Sequence, residues 1–539
     1  MALPVAVQST RRALVALAIF AGLAVLHTWP LASAPWRLAF DNADAGHSAW
    51  TLAWIDHALV RDPGHVFDTN TFWPERQTLT YADPMFVPAL AAAPVRMLGG
   101  SAVFAANVDV LVGLTLTAWC TWFVAARWTG SASAGLVAGA LAAFNPHTLT
   151  RLPQAVAPYL WTLPLLLFVG DRLVDRPSRR DAIAMALLVA LTAATSIYWL
   201  ALAGIIVGTT MVVGAVTKRW AGATRVAIAS IAGIVIAAPV LWPYARVAAA
   251  GTTRPLETVM QFSATPAGYL ASLSHLHRGW SAAFFRDDLD VFFAGATAIV
   301  LAIAGFAAGR RLPRTSRRLG LLVVIAAAGV LLSFGPATSV YRWLYDWLPP
   351  LRGLRVAARF GYLYLLAVAM AAAYGALWLV SRWPRRATAI VCAALALVTI
   401  EAWHGPVAMH AYTGVPPIYD IVRDLPAPVR LVEVPFYPPD AMHENAEYIV
   451  NSTVHWRSLM NGYSGFTPDS YRERTGSFWF FPEPWAVDAI RASDATHVMV
   501  HLERFGNETA DVKRTLMTIP GLELIASDGD HRLYRVRRP

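Results

Sequence analysis

Along most of the chain the hydrophobic positions fall in unbroken runs rather than in the alternation of a soluble core. The runs are Ala13–Leu31, Val103–Ala126, Ser131–Phe144, Val156–Val174, Ala182–Val216, Val226–Tyr244, Val291–Ala308, Leu319–Phe334, Phe360–Val380 and Ala387–Trp403. An α-helix needs ~20 apolar residues to cross the ~30 Å hydrocarbon layer of a bilayer. The pattern therefore predicts a polytopic α-helical membrane protein. Ala182–Val216 is long enough for two helices broken near "TSIYW", which brings the expectation to about eleven transmembrane helices. Met85–Leu98 differs: at ~14 residues, with Pro88, Pro94 and Arg96 inside it, it is expected to lie on the membrane rather than cross it.

Between the runs stand basic connectors, "DRLVDRPSRRD", "KRWAGATR", "GRRLPRTSRR" and "SRWPRR". The excess of Lys and Arg in cytoplasmic loops assigns these to one side and orients the rest. The N-terminus is then cytoplasmic, and a large first loop, 35–100, is external. The segments Ala245–Asp290 and "GPATSVYRWLYDWLPPLRGLRVAAR" are external too. Arg11 and Arg12 precede the first run as in a signal peptide, but no small-residue cleavage site leads into a soluble chain, so an uncleaved helix is expected. From about His404 the character changes. "VRLVEVPF" and "ATHVMVHLERF" read as short buried strands and "ETADVKRTLMTI" as a helix. The expected domains are a membrane domain, 1–403, and a small α/β extracytoplasmic domain, 404–539.

Composition agrees: of 539 residues 56% are hydrophobic and only 14% charged. The formal charge of +10 resides largely in the connectors, so nucleic acid is not an expected partner. Cys120 and Cys392 both sit within apolar runs, which excludes a disulfide framework and a thiolate metal site. No G-x-x-x-x-G-K-[ST], G-x-G-x-x-G, H-E-x-x-H or G-x-S-x-G motif occurs, which argues against an energised pump and a soluble-type nucleotide-sugar enzyme.

The polar residues concentrate in Phe40–Pro84, which holds Asp41, Asp44, Asp56, Asp62, Asp68, Asp83, His47, His57 and His65. Acids clustered beside a membrane are costly and point to a functional site. By spacing alone, solvation or helix capping is the commoner use of Asp41 and Asp44. His47, three residues after Asp44, could join a metal site, although a surface imidazole is commoner.

The loop from Asp44 onward, with Trp50, "LAW" at Leu52–Trp54, His57, Phe67, Asp68, Asn70, Phe72, Pro74, "TLTY" and Asp83, resembles bacterial membrane proteins of the GT-C glycosyltransferase superfamily. "GPATSVYRWLYDWLPPLRGLRVAARFG" and "EYIVNSTVHWRSLMNGYSGFTPDSY" are similar to further segments of that group. The resemblance implies an inverting membrane enzyme that transfers a hexosyl or pentosyl unit from a polyprenyl-phosphate donor to a glycan, lipid or protein acceptor. It would work among membrane lipids on the outer face of a bacterial cytoplasmic (inner) membrane. Asp44 best matches the essential acid of the first external loop, with Asp41 a less certain neighbour. Many relatives carry a second acid in the next external loop, but "NPHTLTRLPQAVAPY" offers only His147, Arg151 and Gln154, so Asp83 would have to substitute.

Such transfer needs a base for the acceptor hydroxyl and positive charge for the departing lipid phosphate. Asp44 is the expected base, helped by a divalent cation, Mg²⁺ or Mn²⁺, held with Asp41 or Asp83. Arg352, Arg355 and Arg359 are spaced three and four apart, so a helix would align them as a phosphate clamp; interfacial anchoring is their other reading. Arg151, His57 and Asp83 complete the expected substrate-binding set. "HWRSLMNGYSGFTP" suits sugar stacking as well as packing. A flippase of lipid-linked saccharides would place charges at mid-span and repeat its halves in inverted order, and neither is visible. A non-catalytic assembly protein would keep the fold and lose the acid.

Overall fold

The computed structural model describes residues 5–249, 253–310 and 313–538. Arg311 and Leu312 of the connector "GRRLPRTSRR", and Ala250 to Thr252 of the expected external loop, lie outside them. The chain divides into two compact units, Met1–Ser33 with Asp109–Val407, and Ala34–Val108 with Ala408–Pro539.

Every apolar run expected to span the membrane is helical: Val5–His27, Ala102–Thr129, Ala132–Ala143, Thr162–Asp175, Arg179–Thr195, Ile197–Val216, Trp220–Ile236, Ala296–Gly309, Pro313–Ser333, Tyr362–Arg382 and Ala387–Ala402. The break expected near "TSIYW" falls at Ser196, whose hydroxyl accepts the N–H groups of Tyr198 and Trp199 and so starts a new helix. Among the described residues, five segments are long and apolar enough to cross a bilayer: Thr10–His27, Ala102–Thr129, Ile197–Val216, Arg314–Ser333 and Ala357–Arg382. Trp220–Ile236 and Ala238–Ala249, bent by 77°, would make a sixth as one broken span. The helix Phe86–Met97 has 12 residues, about 18 Å at 1.5 Å per residue. That is short of the membrane thickness, as its surface-lying expectation requires.

The first unit turns aliphatic side chains outward along its helices, among them Val212, Val216, Ile228, Ile231, Val300 and Ile303, all more than 60% exposed. Such a surface calls for an apolar solvent. Inside the bundle the helices approach through small residues. A Cβ placed on Gly375 would lie 1.9 Å from the Leu301 carbonyl oxygen, so the backbones of Ala296–Gly309 and Tyr362–Arg382 touch. Three basic connectors also meet. Asp171 binds Arg317 at 2.5 Å and Arg318 at 2.9 Å, while Asp175 pairs with Arg219, Arg317 and, at 3.2 Å, Arg314. Asp171 and Arg318 are both buried. Three of the four connectors whose positive charge assigns them to one side are thus bound to one another.

The second unit holds the sheets. β1 (Leu38–Phe40) pairs antiparallel with β2 (Met409–Ala411). Five more strands, β3 (Arg430–Val434), β4 (Ser458–Leu459), β5 (His497–His501), β6 (Leu522–Asp528) and β7 (His531–Val536), form a sheet of order β4-β3-β5-β7-β6. β4 and β5 run parallel to β3, whereas β7 runs antiparallel to β5 and to β6. This is the α/β character expected for 404–539, with a correction to its boundary: the first loop belongs to the same compact unit. Phe72 and Trp73 donate backbone N–H groups to Asn461 and Leu459, and Leu459 donates to Asn70, so the loop runs beside β4. Phe72 is then buried in the core cluster with Val432, Phe436 and Tyr471, its ring so close to Gly462 that a Cβ there would lie 2.5 Å away. Asn70 fastens the junction, accepting from Trp50 Nε1 and donating to Ser452 Oγ. Loop residues that carry the family resemblance are thus explained by packing.

Several histidines of this unit are buried and uncharged. Burial, then Arg457, holds His455 at about 3; burial, then Arg535, holds His497 at about 4. Between those values and about 6.5 the folded state binds fewer protons than the unfolded state, so their contribution is complete above pH 6.5 and is lost as pH falls. Glu433, raised to about 8 by burial, acts in the opposite sense between pH 8 and about 4.5. Below pH 4.5 Glu433 no longer opposes the histidines, and the thermal midpoint of the purified protein is expected to fall steeply from there to pH 3. His455→Phe should flatten that limb, and an unchanged slope would count against the assignment.

Candidate active site

Asn42 decides where the first-loop helix starts. Its backbone is extended and its side-chain oxygen accepts the Asp44 N–H at 2.8 Å, so Ala43–Arg61 begins there and Asp44 lies in its first turn. Here the positive end of the helix dipole favours a carboxylate. The Asp44 side chain is used elsewhere: the Tyr463 hydroxyl donates to its Oδ1 at 2.6 Å. One turn on, His47 is buried with its ring edge-on to Tyr463 at 5.6 Å. Burial lowers the basicity of this imidazole, and the carboxylates of Asp44 and Asp83 partly oppose that. Asp44, His47, Tyr463 and Asp83 therefore form one electrostatic group.

The other first-loop residues go elsewhere. Asp41 follows β1, its side chain 74% exposed and 3.9 Å from His410 Nδ1. His57 is thirteen residues beyond Asp44, roughly 20 Å along the helix axis, and its ring stacks on Trp456 at 4.5 Å. Burial and the nearby Arg61 and Arg96 lower its basicity. The charges of Asp44 and Asp83 thus both act on His47, whereas His57 lies away from Asp44. Two carboxylates suit a hard cation such as Mg²⁺ or Mn²⁺, which takes one or two of them and completes its shell with water and phosphate oxygens.

In the membrane unit the expected alignment of three arginines needs correcting. Pro349–Gly353 and Ala357–Gly361 are separate 3₁₀ turns, and Leu354 and Val356 between them are non-helical, so no single helix face carries all three. Arg352 donates to the carbonyls of Tyr345 and Asp346 at 3.1 and 2.7 Å, capping the helix Ser339–Trp347. Arg355 lies over the Phe262 ring beside Arg254, while its N–H and that of Val356 bind the Tyr198 hydroxyl.

Arg359 takes a different course. It lies over the Tyr198 ring at 4.2 Å and donates to Gln154 Oε1 at 3.0 Å. A crevice follows, lined by Arg359, Arg151, Gln154, His147, Trp199 and Tyr362. His147 is buried and stacked on Phe292 at 4.2 Å; burial and then the charges of Arg151 and Arg359 hold its ring neutral. Guanidiniums are the groups that bind phosphate through charge-assisted bonds, and two of them line this narrow crevice. Sequence spacing missed Tyr463, Tyr198 and the Arg151–Arg359 pairing. Only the stretch "HWRSLMNGYSGFTP", which contains it, hinted at the first.

No protein-family model matches the sequence, and no curated protein sequence does. Among solved structures, the arabinofuranosyltransferase AftD from Mycobacteria superposes with a TM-score of 0.60 and 16% identity over 100% of this chain. A mutant form of that enzyme gives 0.59 and 15%, again over 100% of this chain. The match takes in 40% and 42% of those chains, so this chain spans about two fifths of their length. The likeness is one of fold: over its whole length the chain shares the fold of part of this arabinofuranosyltransferase.

Proposed function

We propose that the protein is an inverting membrane glycosyltransferase. It moves a sugar from a polyprenyl-phosphate donor to a hydroxyl of a glycan, lipid or protein acceptor on the outer face of the cytoplasmic membrane. The observation that carries this reading is the Asp44 carboxylate in the first turn of the helix Ala43–Arg61, held by Tyr463 beside His47 and under the same electrostatic influence as Asp83, in a chain with the fold of a known sugar transferase. Asp44 takes the proton of the acceptor hydroxyl as its oxygen bonds to the anomeric carbon. The bond from that carbon to the lipid phosphate breaks, and the phosphate leaves with the electron pair. That charge needs a cation to take it up; within the membrane unit by itself, Arg151 and Arg359 are the groups suited to a lipid phosphate. Asp44 and Asp83 would hold Mg²⁺ or Mn²⁺, which when bound supplies Lewis-acid polarisation.

The test is transfer of labelled sugar from native membrane lipid extracts by the purified chain. Loss of the signal on omitting the lipid fraction is expected; transfer from a soluble sugar nucleotide alone would refute the donor class. The sidedness has its own check. With about eleven spans and a cytoplasmic N-terminus, a reporter fused after the last residue is expected to be active only outside the cytoplasm. Activity confined to the cytoplasm would overturn the topology and the outer-face site together.

A further inference from the structure

We infer that His501, Glu503 and His531 form a binding site for a zinc-class divalent cation at the ends of two inner strands of the C-terminal sheet. β5 and β7 run antiparallel with His501 directly opposite His531. The chain then enters the 3₁₀ turn Leu502–Glu508, which carries Glu503 back over the same strand ends, while the Leu502 N–H donates to the Asp530 carbonyl. His501 Nδ1 lies 3.8 Å from Glu503 Oε1 and His531 Nε2 lies 3.9 Å from it. One ligand atom from each residue falls within 4.8 Å of the others, and among the described residues this is the one such group of three. A triangle of these dimensions has a point roughly 2.2–2.5 Å from every corner, a slight tightening away from zinc–nitrogen and zinc–oxygen bonds of about 2.0–2.2 Å.

A second observation points to a ligand. His501 is fully buried, yet neither its Nδ1 nor the His531 Nε2 has a hydrogen-bond partner, although buried polar atoms are rarely left so. Its other nitrogen, Nε2, is 2.6 Å from the buried Glu433 carboxylate, which also accepts the Tyr419 hydroxyl at 2.6 Å. A carboxyl oxygen that receives Nε2–H leaves the Nδ1 lone pair for a metal, the usual way a ligating histidine is oriented. Glu503 is partly exposed, so an ion can enter and water can take the remaining position. Arg504, the nearest cation on the same turn, is paired with Glu447 and Glu444. Two imidazoles and one carboxylate select zinc over magnesium or calcium. The ion would clasp β5, the turn after it and β7.

The experiment uses the full chain in detergent, purified without a histidine tag and stripped with chelator. Zinc is added and bound metal is measured after gel filtration. Cobalt serves as the spectroscopic probe. One zinc per chain, an intense visible cobalt band of a four-coordinate site and a zinc-dependent rise in thermal midpoint are expected. His531→Gln and Glu503→Gln should weaken zinc binding at least a hundredfold, and Glu433→Gln ten- to a hundredfold through orientation alone. Glu503 is partly exposed, so its variant is expected to fold even if another does not. His410→Gln, outside the cluster, should bind as wild type. No retained zinc, or retention undiminished in Glu503→Gln and His531→Gln, would overturn the site. Sugar transfer is not read in this test, so its outcome is separate from that of the proposed function.

Discussion

Asp44→Asn is expected to insert and fold normally while sugar transfer per folded molecule falls by ~10² or more. The substitution keeps the size of the side chain and an oxygen for the Tyr463 hydroxyl, but removes the proton acceptor. It also leaves the helix start intact, because the cap is made by the Asn42 side chain and the backbone N–H of residue 44. Capping and chemistry therefore separate cleanly. Asn42→Ala should lower stability by ~1 kcal/mol with activity per folded molecule retained, whereas Asp44→Asn should do the reverse. Tyr463→Phe, which removes one hydrogen bond to the carboxylate, should lie between wild type and Asp44→Asn. Asp41→Asn should cost least, since Asp41 is exposed and directed toward His410. Transfer from lipid extracts, normalised to folded protein, is the measurement; full activity in Asp44→Asn would remove the mechanism.

The second large effect is expected at the arginine crevice. Arg359→Gln and Arg151→Gln each remove a charge-assisted bond to a departing phosphate. At ~1.5–3 kcal/mol per bond this is a ~10- to 10²-fold loss in donor use. Arg359→Lys should recover only part of it, because an ammonium lacks the planar fork that binds two oxygens and rests on an aromatic face, here that of Tyr198. Arg352→Gln is the contrast. Its guanidinium is bound to the carbonyls at the end of Ser339–Trp347, so the variant should lose stability and keep its donor dependence. Donor titrations on the four proteins distinguish these outcomes. Equal loss in Arg352→Gln and Arg359→Gln would show that the crevice has no special role.

Much of the architecture was legible because the physics that sets it is local along the chain. A run such as Val103–Ala126 is apolar whatever surrounds it, and a bilayer leaves it no choice but to close its own backbone hydrogen bonds as a helix. The break at Ser196 and the short helix Phe86–Met97 follow from equally local properties. The cluster of acids beside the first apolar run is legible in the same way, whereas Asp44 is singled out within it by the family resemblance.

What the tertiary structure alone decided depends on groups distant in sequence. Tyr463 reaches Asp44 from 419 positions away, and no periodicity records that contact. The loop 35–100 reads as an appendage of the membrane domain because it is flanked by spans, yet the backbone groups of Phe72 and Trp73 find their partners beside β4. That pairing, with burial of Phe72, is what moved the loop into the C-terminal unit. Spacing alone made Arg352, Arg355 and Arg359 one face; the extended residues between two 3₁₀ turns disperse them, and Gln154 and Tyr198 instead select Arg359. Hydropathy sums along a chain, so it can be read one segment at a time. A site is made of directional bonds that close only when separate segments meet, and their geometry exists nowhere but in the folded molecule.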